Sequence, residues 1–140
     1  MRSLFLIIGI FYILSSELIA NSKGKELFIA KCATCHAFKG DVTKDQRIAP
    51  PIKNVLYHLN EDFKTKKEAK KHIMDFVINP TKAKAICPSI KKFGLMASQK
   101  GLISNTDLEI IANWIMDDLQ AMTKKEHDTN KKKHKKNEAH

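Results

Sequence analysis

Cysteine is scarce, with three in 140 residues, too few to staple a small fold by disulfides. Four prolines and five glycines exclude a collagen-like or low-complexity chain. Arginine occurs only as Arg2 and Arg47, so the planar forks that read bases and phosphates are nearly missing. No convincing run of alternating strand residues occurs, and no internal repeat is visible. The apolar run Leu4–Leu14 is eleven residues long, short of the roughly 20 that cross a bilayer. The length allows one small domain and excludes a multidomain enzyme or a large barrel.

What the chain has in excess is lysine. Lys and Arg total 25 against 15 Asp and Glu, a formal net charge of +10. Residues 1–20 have the layout of a secretory signal peptide: Arg2, the apolar run, then Ser15, Ser16 and Ala20 at a plausible cleavage point. Retention as an uncleaved N-terminal anchor is the alternative. Both readings place the remainder outside the cytoplasm, and a periplasmic location is expected. Residues 123–140 carry seven Lys against three acids and no apolar periodicity, so a solvated, disordered Lys-rich tail is expected. Export and the preference for Lys argue against a nucleic-acid partner. The excess charge is read either as a feature that docks acidic partners or as plain composition.

Between these ends, residues 21–122 form the candidate domain. A short helix is expected from Lys23 to about Lys31, with Ser22 as N-cap and Leu27, Phe28 and Ala30 on its apolar side. A long loop follows from Phe38 to about Leu59, containing Pro50 and Pro51; such a loop wraps something or carries function. A helix from Glu61 to Ile78, capped by Asn60, ends before Pro80. A last helix runs from Asn105 to Ala121. Ser104 and Asp107 open it as a capping box, and Leu108, Ile111, Ile115 and Leu119 form a stripe beside Trp114. The class is all-α with long loops.

Cys32-Ala33-Thr34-Cys35-His36 carries the chemistry. The C-x-x-C-H spacing is a known pattern of c-type haem attachment. Two thiols on one turn reach the two vinyl groups of one porphyrin, and the adjacent His lies under the iron. Competing readings are a thioredoxin-like redox pair, which needs a βαβ setting, a zinc site recruiting Cys87, and a simple disulfide.

From Lys23 to Leu119 the chain resembles the small class I monohaem cytochromes c of bacterial type. Gly24, Phe28 and the CATCH stretch match that family's N-terminal helix, and Leu108 to Ile115 with Trp114 resembles its partner helix. The resemblance implies a cytochrome c-like fold of three to four helices around one covalently bound haem c. In it Cys32 and Cys35 are the attachment points and His36 the proximal ligand. Ala49-Pro50-Pro51-Ile52 resembles the loop whose carbonyl orients that His, through either Pro50 or Pro51. Met96, in Phe93-Gly94-Leu95-Met96, stands where the family places its sixth ligand, although Ala97 replaces the Pro often found next. His58 and His72 are the bis-His alternative and are otherwise expected to be exposed. Cys87 is a less usual ligand, and His127, His134 and His140 are read as solvated. Met74, Met116 and Met122 are read as packing residues.

With both axial positions filled, the expected function is a one-electron carrier and not an enzyme, serving redox donor and acceptor proteins with acidic docking surfaces. Weak association of the tail with anionic lipid is a further expectation. The alternatives are a haem sensor or enzyme with an open axial site, and a membrane-anchored subunit of a respiratory complex.

Overall fold

The computed structural model describes residues 23–37, 43 and 46–125. The leader segment at residues 1–20, the N-cap Ser22, and residues 126–140 of the Lys-rich tail with its three histidines lie outside the described residues. Among the described residues are five α-helices: α1 over residues 23–31, α2 Ile52–Asp62, α3 Lys66–Ile78, α4 Ile90–Phe93 and α5 Asn105–Trp114. A 3₁₀ turn, Lys82–Lys84, joins α3 to α4. Among the described residues there is no strand, and the all-α class with long connections holds.

Two expectations about the elements change. The segment read as loop up to Leu59 contains α2, because Ile52, Leu56 and Leu59 recur at helical spacing and are all buried. Pro51 sits just before the first helical residue, where its missing N–H costs nothing. The helix expected from Glu61 to Ile78 is in fact the end of α2 and all of α3, broken at Phe63. A capping box starts α3: the Thr65 hydroxyl accepts from the Glu68 backbone N–H at 3.2 Å, and the Glu68 carboxylate accepts from the Thr65 N–H at 3.1 Å. Thr65, not Asn60, is the cap.

Ser104 caps α5, its hydroxyl accepting from the Asp107 N–H at 3.0 Å, which is one arm of the expected capping box. Beyond α5 the rod continues as a π-helical turn, Ile115–Leu119, and as helix over residues 120–125. It thus runs three residues into the segment read as tail.

The core joins the chain ends of the domain. Phe28 of α1 and Trp114 of α5 are each 1% exposed, with ring centroids 5.2 Å apart. Gly24 is buried one turn earlier, and a Cβ there would lie 2.9 Å from Trp114 Cγ and 3.2 Å from the Ile110 carbonyl. Only a residue without a side chain lets the two helices cross this closely. Leu56 and Leu59 of α2, Ala69 and Ile73 of α3, and Ile111, Ala112, Ile115, Met116 and Leu119 complete the buried cluster. Lys66 and Lys70 of α3 grip Asp117 at 3.0 and 2.6 Å on its surface.

Candidate functional site

The CATCH stretch grows out of the end of α1. Cys32 and Ala33 both donate their backbone N–H to the Phe28 carbonyl, at 2.8 and 3.0 Å. Cys35 and His36 then donate to the Cys32 carbonyl, at 3.2 and 2.9 Å. One tight turn therefore carries both thiols and the imidazole, and it hangs from the residue whose ring packs on Trp114. Both cysteines are free thiols, Cys32 half-buried and Cys35 exposed. Burial pushes the Cys32 thiol up to about 11, and its neighbour Cys35 adds to the shift.

His36 Nδ1 lies 2.8 Å from the Pro50 carbonyl oxygen. A carbonyl only accepts, so Nδ1 carries the proton and the neutral ring keeps its lone pair on Nε2. Burial holds the imidazole below its ordinary pKa, with the Pro50 bond opposing, so the neutral, metal-binding form is favoured. Of the two prolines that the sequence leaves open, Pro50 makes the contact. Ile52 N–H to the Ala37 carbonyl, at 3.2 Å, draws the start of α2 to the same turn.

Cys32, Cys35 and His36 line a cleft of about 350 Å³. Its walls are mostly apolar: Ile52, Val55 and Leu59 from α2, Ile73, Phe76 and Val77 from α3, with Leu108, Ile111 and Ile115 beyond them. Met96 lines the same cleft. So do Ile48, Leu95 and Leu102, which are 63%, 40% and 68% exposed. That exposed apolar surface is what a flat apolar macrocycle would cover. A thiol pair, an imidazole with a free nitrogen and a thioether around one apolar cleft fit an iron porphyrin.

Met96 belongs to an irregular segment between Gly94 and Gly101, both at positive φ, 78° and 81°. Gln99 N–H donates to the Val77 carbonyl at 2.9 Å, and the Ser98 hydroxyl donates to the Ile78 carbonyl. These bonds tie the segment to the end of α3. Sequence reading missed them, since one end of each is main chain.

The other candidates separate. His58 does not line the cleft and is half-buried, not exposed as expected; its ring lies edge-on to Tyr57 at 5.3 Å, with Nδ1 3.6 Å from Glu61. His72 does line it and is not an exposed residue. Its ring sits between Phe63 and Phe76, at 4.8 and 5.7 Å between centroids, and burial lowers its pKa. Cys87 also lines the cleft, with its sulfur 2.6 Å from Ser89 Oγ. Among the described residues, no three His, Cys, Asp or Glu side chains gather to hold a metal ion, so the zinc reading with Cys87 is not assembled. The thioredoxin-like reading finds no sheet among the described residues. Met116 is buried in the core, as expected of a packing residue, whereas Met122 is 40% exposed.

A family model described as Cytochrome c matches residues 22–118. No curated protein and no solved structure matches the chain.

Proposed function

The chain belongs to the cytochrome c family, and on that footing we propose that it is an exported, diffusible one-electron carrier with His36 and Met96 as axial ligands. Members of the family bind covalently attached haem c and are typically electron carriers that serve redox protein partners. When bound, that group supplies an iron able to change charge by one unit without any bond to a substrate. The residues of this chain determine how it does so.

In this reading Cys32 and Cys35 hold the porphyrin by thioethers, and the turn that carries them sets its place against α1. The Pro50 carbonyl fixes the tautomer and plane of His36 and makes its Nε2 a stronger donor. Met96 would offer a soft sulfur as the second protein ligand, which would favour the ferrous state and raise the potential. The apolar walls from α2 and α3 work in the same direction, because a low dielectric disfavours the added positive charge of the ferric form. With His36 and Met96 both holding the iron, oxygen and peroxide would find no site, which would set a carrier apart from an enzyme or sensor.

The observation that carries this reading is the sharing of one apolar cleft by the CATCH turn and Met96. The test is Met96→Ala in the mature, haem-loaded protein. The near-red charge-transfer band of the ferric form is expected to vanish, and the ferrous form to bind carbon monoxide. A native protein that already binds carbon monoxide readily would instead be five-coordinate, and the sensor or enzyme reading would replace this one.

Charge supports the choice of partner. Lys31 stands at the cleft itself, and the formal charge of +10 steers encounters toward acidic surfaces in a salt-dependent way. Export rests on residues 1–20, and attraction of the tail to anionic lipid rests on its seven lysines. Among the described residues no helix is long and apolar enough to cross a membrane.

A further inference from the structure

Met96 sits on a segment with little of its own to hold it. Gly94 and Gly101 bound it, both at positive φ, a conformation that residues with a side chain rarely adopt. Leu95, Ala97, Ser98 and Lys100 are exposed, so no buried side chain of theirs anchors the backbone. Ala97 follows Met96 directly, and it fixes φ far less than a proline would.

The end of α3 has the opposite problem. The last carbonyls of a helix have no partner within it. Here Pro80 follows the C-cap Asn79 and brings no N–H of its own to satisfy them.

The two needs meet. The Ser98 hydroxyl donates to the Ile78 carbonyl, and the Ser98 oxygen accepts from the Lys100 N–H at 3.2 Å. One residue on, Gln99 N–H reaches the Val77 carbonyl at 2.9 Å. The Gln99 side chain donates back to the Ala97 carbonyl at 3.0 Å. Val77 also lines the cleft, so the strap ends on a cleft wall.

We propose that Ser98 is the positioning residue for Met96, its hydroxyl strapping the ligand-bearing segment to the free carbonyls of α3. The inference rests on ligation by Met96. Loss of the hydroxyl frees the Ile78 carbonyl and the Lys100 N–H together, and the segment then swings away from the cleft more often. Any added ligand that competes with Met96 gains by the increase in the open population.

The experiment uses the mature, haem-loaded full chain and imidazole as the competing ligand. In Ser98→Ala, imidazole is expected to bind the ferric form about threefold to tenfold more tightly, the factor that one net hydrogen bond supplies. The near-red band without imidazole stays close to native, since the open form remains a minor population; thermal unfolding changes little, and amide exchange at Lys100 quickens. Ser98→Thr keeps the hydroxyl and restores native affinity. Native imidazole affinity in Ser98→Ala overturns the proposal, as does a Ser98→Thr protein that behaves like the alanine variant. A second measurement needs no variant: saturating imidazole should raise amide exchange at Gln99 and Lys100 in the unaltered protein, and unchanged protection overturns the strap. Met96→Ala separates the two levels. If it leaves the near-red band intact, ligation by Met96 itself is wrong; if it abolishes the band while Ser98→Ala changes nothing, only the strap fails.

Discussion

Two stretches of chain meet at the cleft, and they are held in opposite ways. The CATCH turn is an extension of the core. It hangs from Phe28, which is 1% exposed and packs on Trp114, and its imidazole is fixed by the Pro50 carbonyl at 2.8 Å. The Met96 segment lies at the surface between two glycines and is held by a few hydrogen bonds, to one helix end and, through the Gln99 carbonyl, to the N–H groups of Leu102 and Ile103. The first stretch draws its order from burial, which is worth kilocalories per side chain. The second draws it from bonds worth about 1 kcal/mol each. Local opening follows the lower cost, so the Met96 segment is expected to open before the CATCH turn does.

The largest effect that tests this contrast is removal of the thiols. Cys32→Ala combined with Cys35→Ala is expected to abolish covalent haem: the purified protein should show the polypeptide mass alone and no c-type pyridine haemochrome. Retained covalent haem would move the attachment point elsewhere.

Next comes the crossing that supports the turn. Gly24→Ala drives a methyl group into Trp114 and the Ile110 carbonyl. Overpacking of this kind costs about 1–3 kcal/mol, and here one of the opposing atoms is backbone, so the upper end is expected. Thermal unfolding should fall by roughly 4–8 °C for each kcal/mol lost. A Tm within a degree or two of the native value would mean that the helices are not in contact in solution.

The smallest effect lies far from the cleft. Burial tends to raise the Asp117 carboxyl, but the bonds to Lys70 and Lys66 outweigh it and leave the group below the ordinary 3.8. A depressed carboxylate adds stability above that ordinary value and loses it as pH falls through the lower folded value. Asp117→Asn should therefore destabilise by less than about 1 kcal/mol near neutral pH, since these pairs are half exposed. The difference from native should shrink in chemical denaturation carried below the ordinary carboxylate range. A constant difference at all pH values would assign the loss to packing and not to charge.

How far the sequence reveals this arrangement follows the same divide. The CATCH turn, Gly24, Phe28 and Trp114 lie in short motifs whose chemistry or spacing is local, and the Ser104 cap announces α5 in the same way. The start of α2 was equally present in Ile52, Leu56 and Leu59, yet the Pro50–Pro51 pair reads as loop unless its place before a first helical turn is recognised. The Thr65–Glu68 box marks a helix start inside what reads as one continuous helix. His72 looks solvated among lysines: Phe76, one turn on, is a legible neighbour, but Phe63 reaches the ring only because the chain breaks between α2 and α3. The strap at Ser98 is the least legible, as its partners are carbonyls that every residue possesses.

The π-helical turn Ile115–Leu119 admits one more residue than a regular coil, and it advances everything after it by about 100° around the axis. It works as a phase shifter built into a single rod. Ahead of it the rod presents Trp114 to α1. Past it Gln120 points to α2, donating to the Asn60 side chain at 3.2 Å. One element thereby addresses two neighbours that a uniform winding would serve only in part.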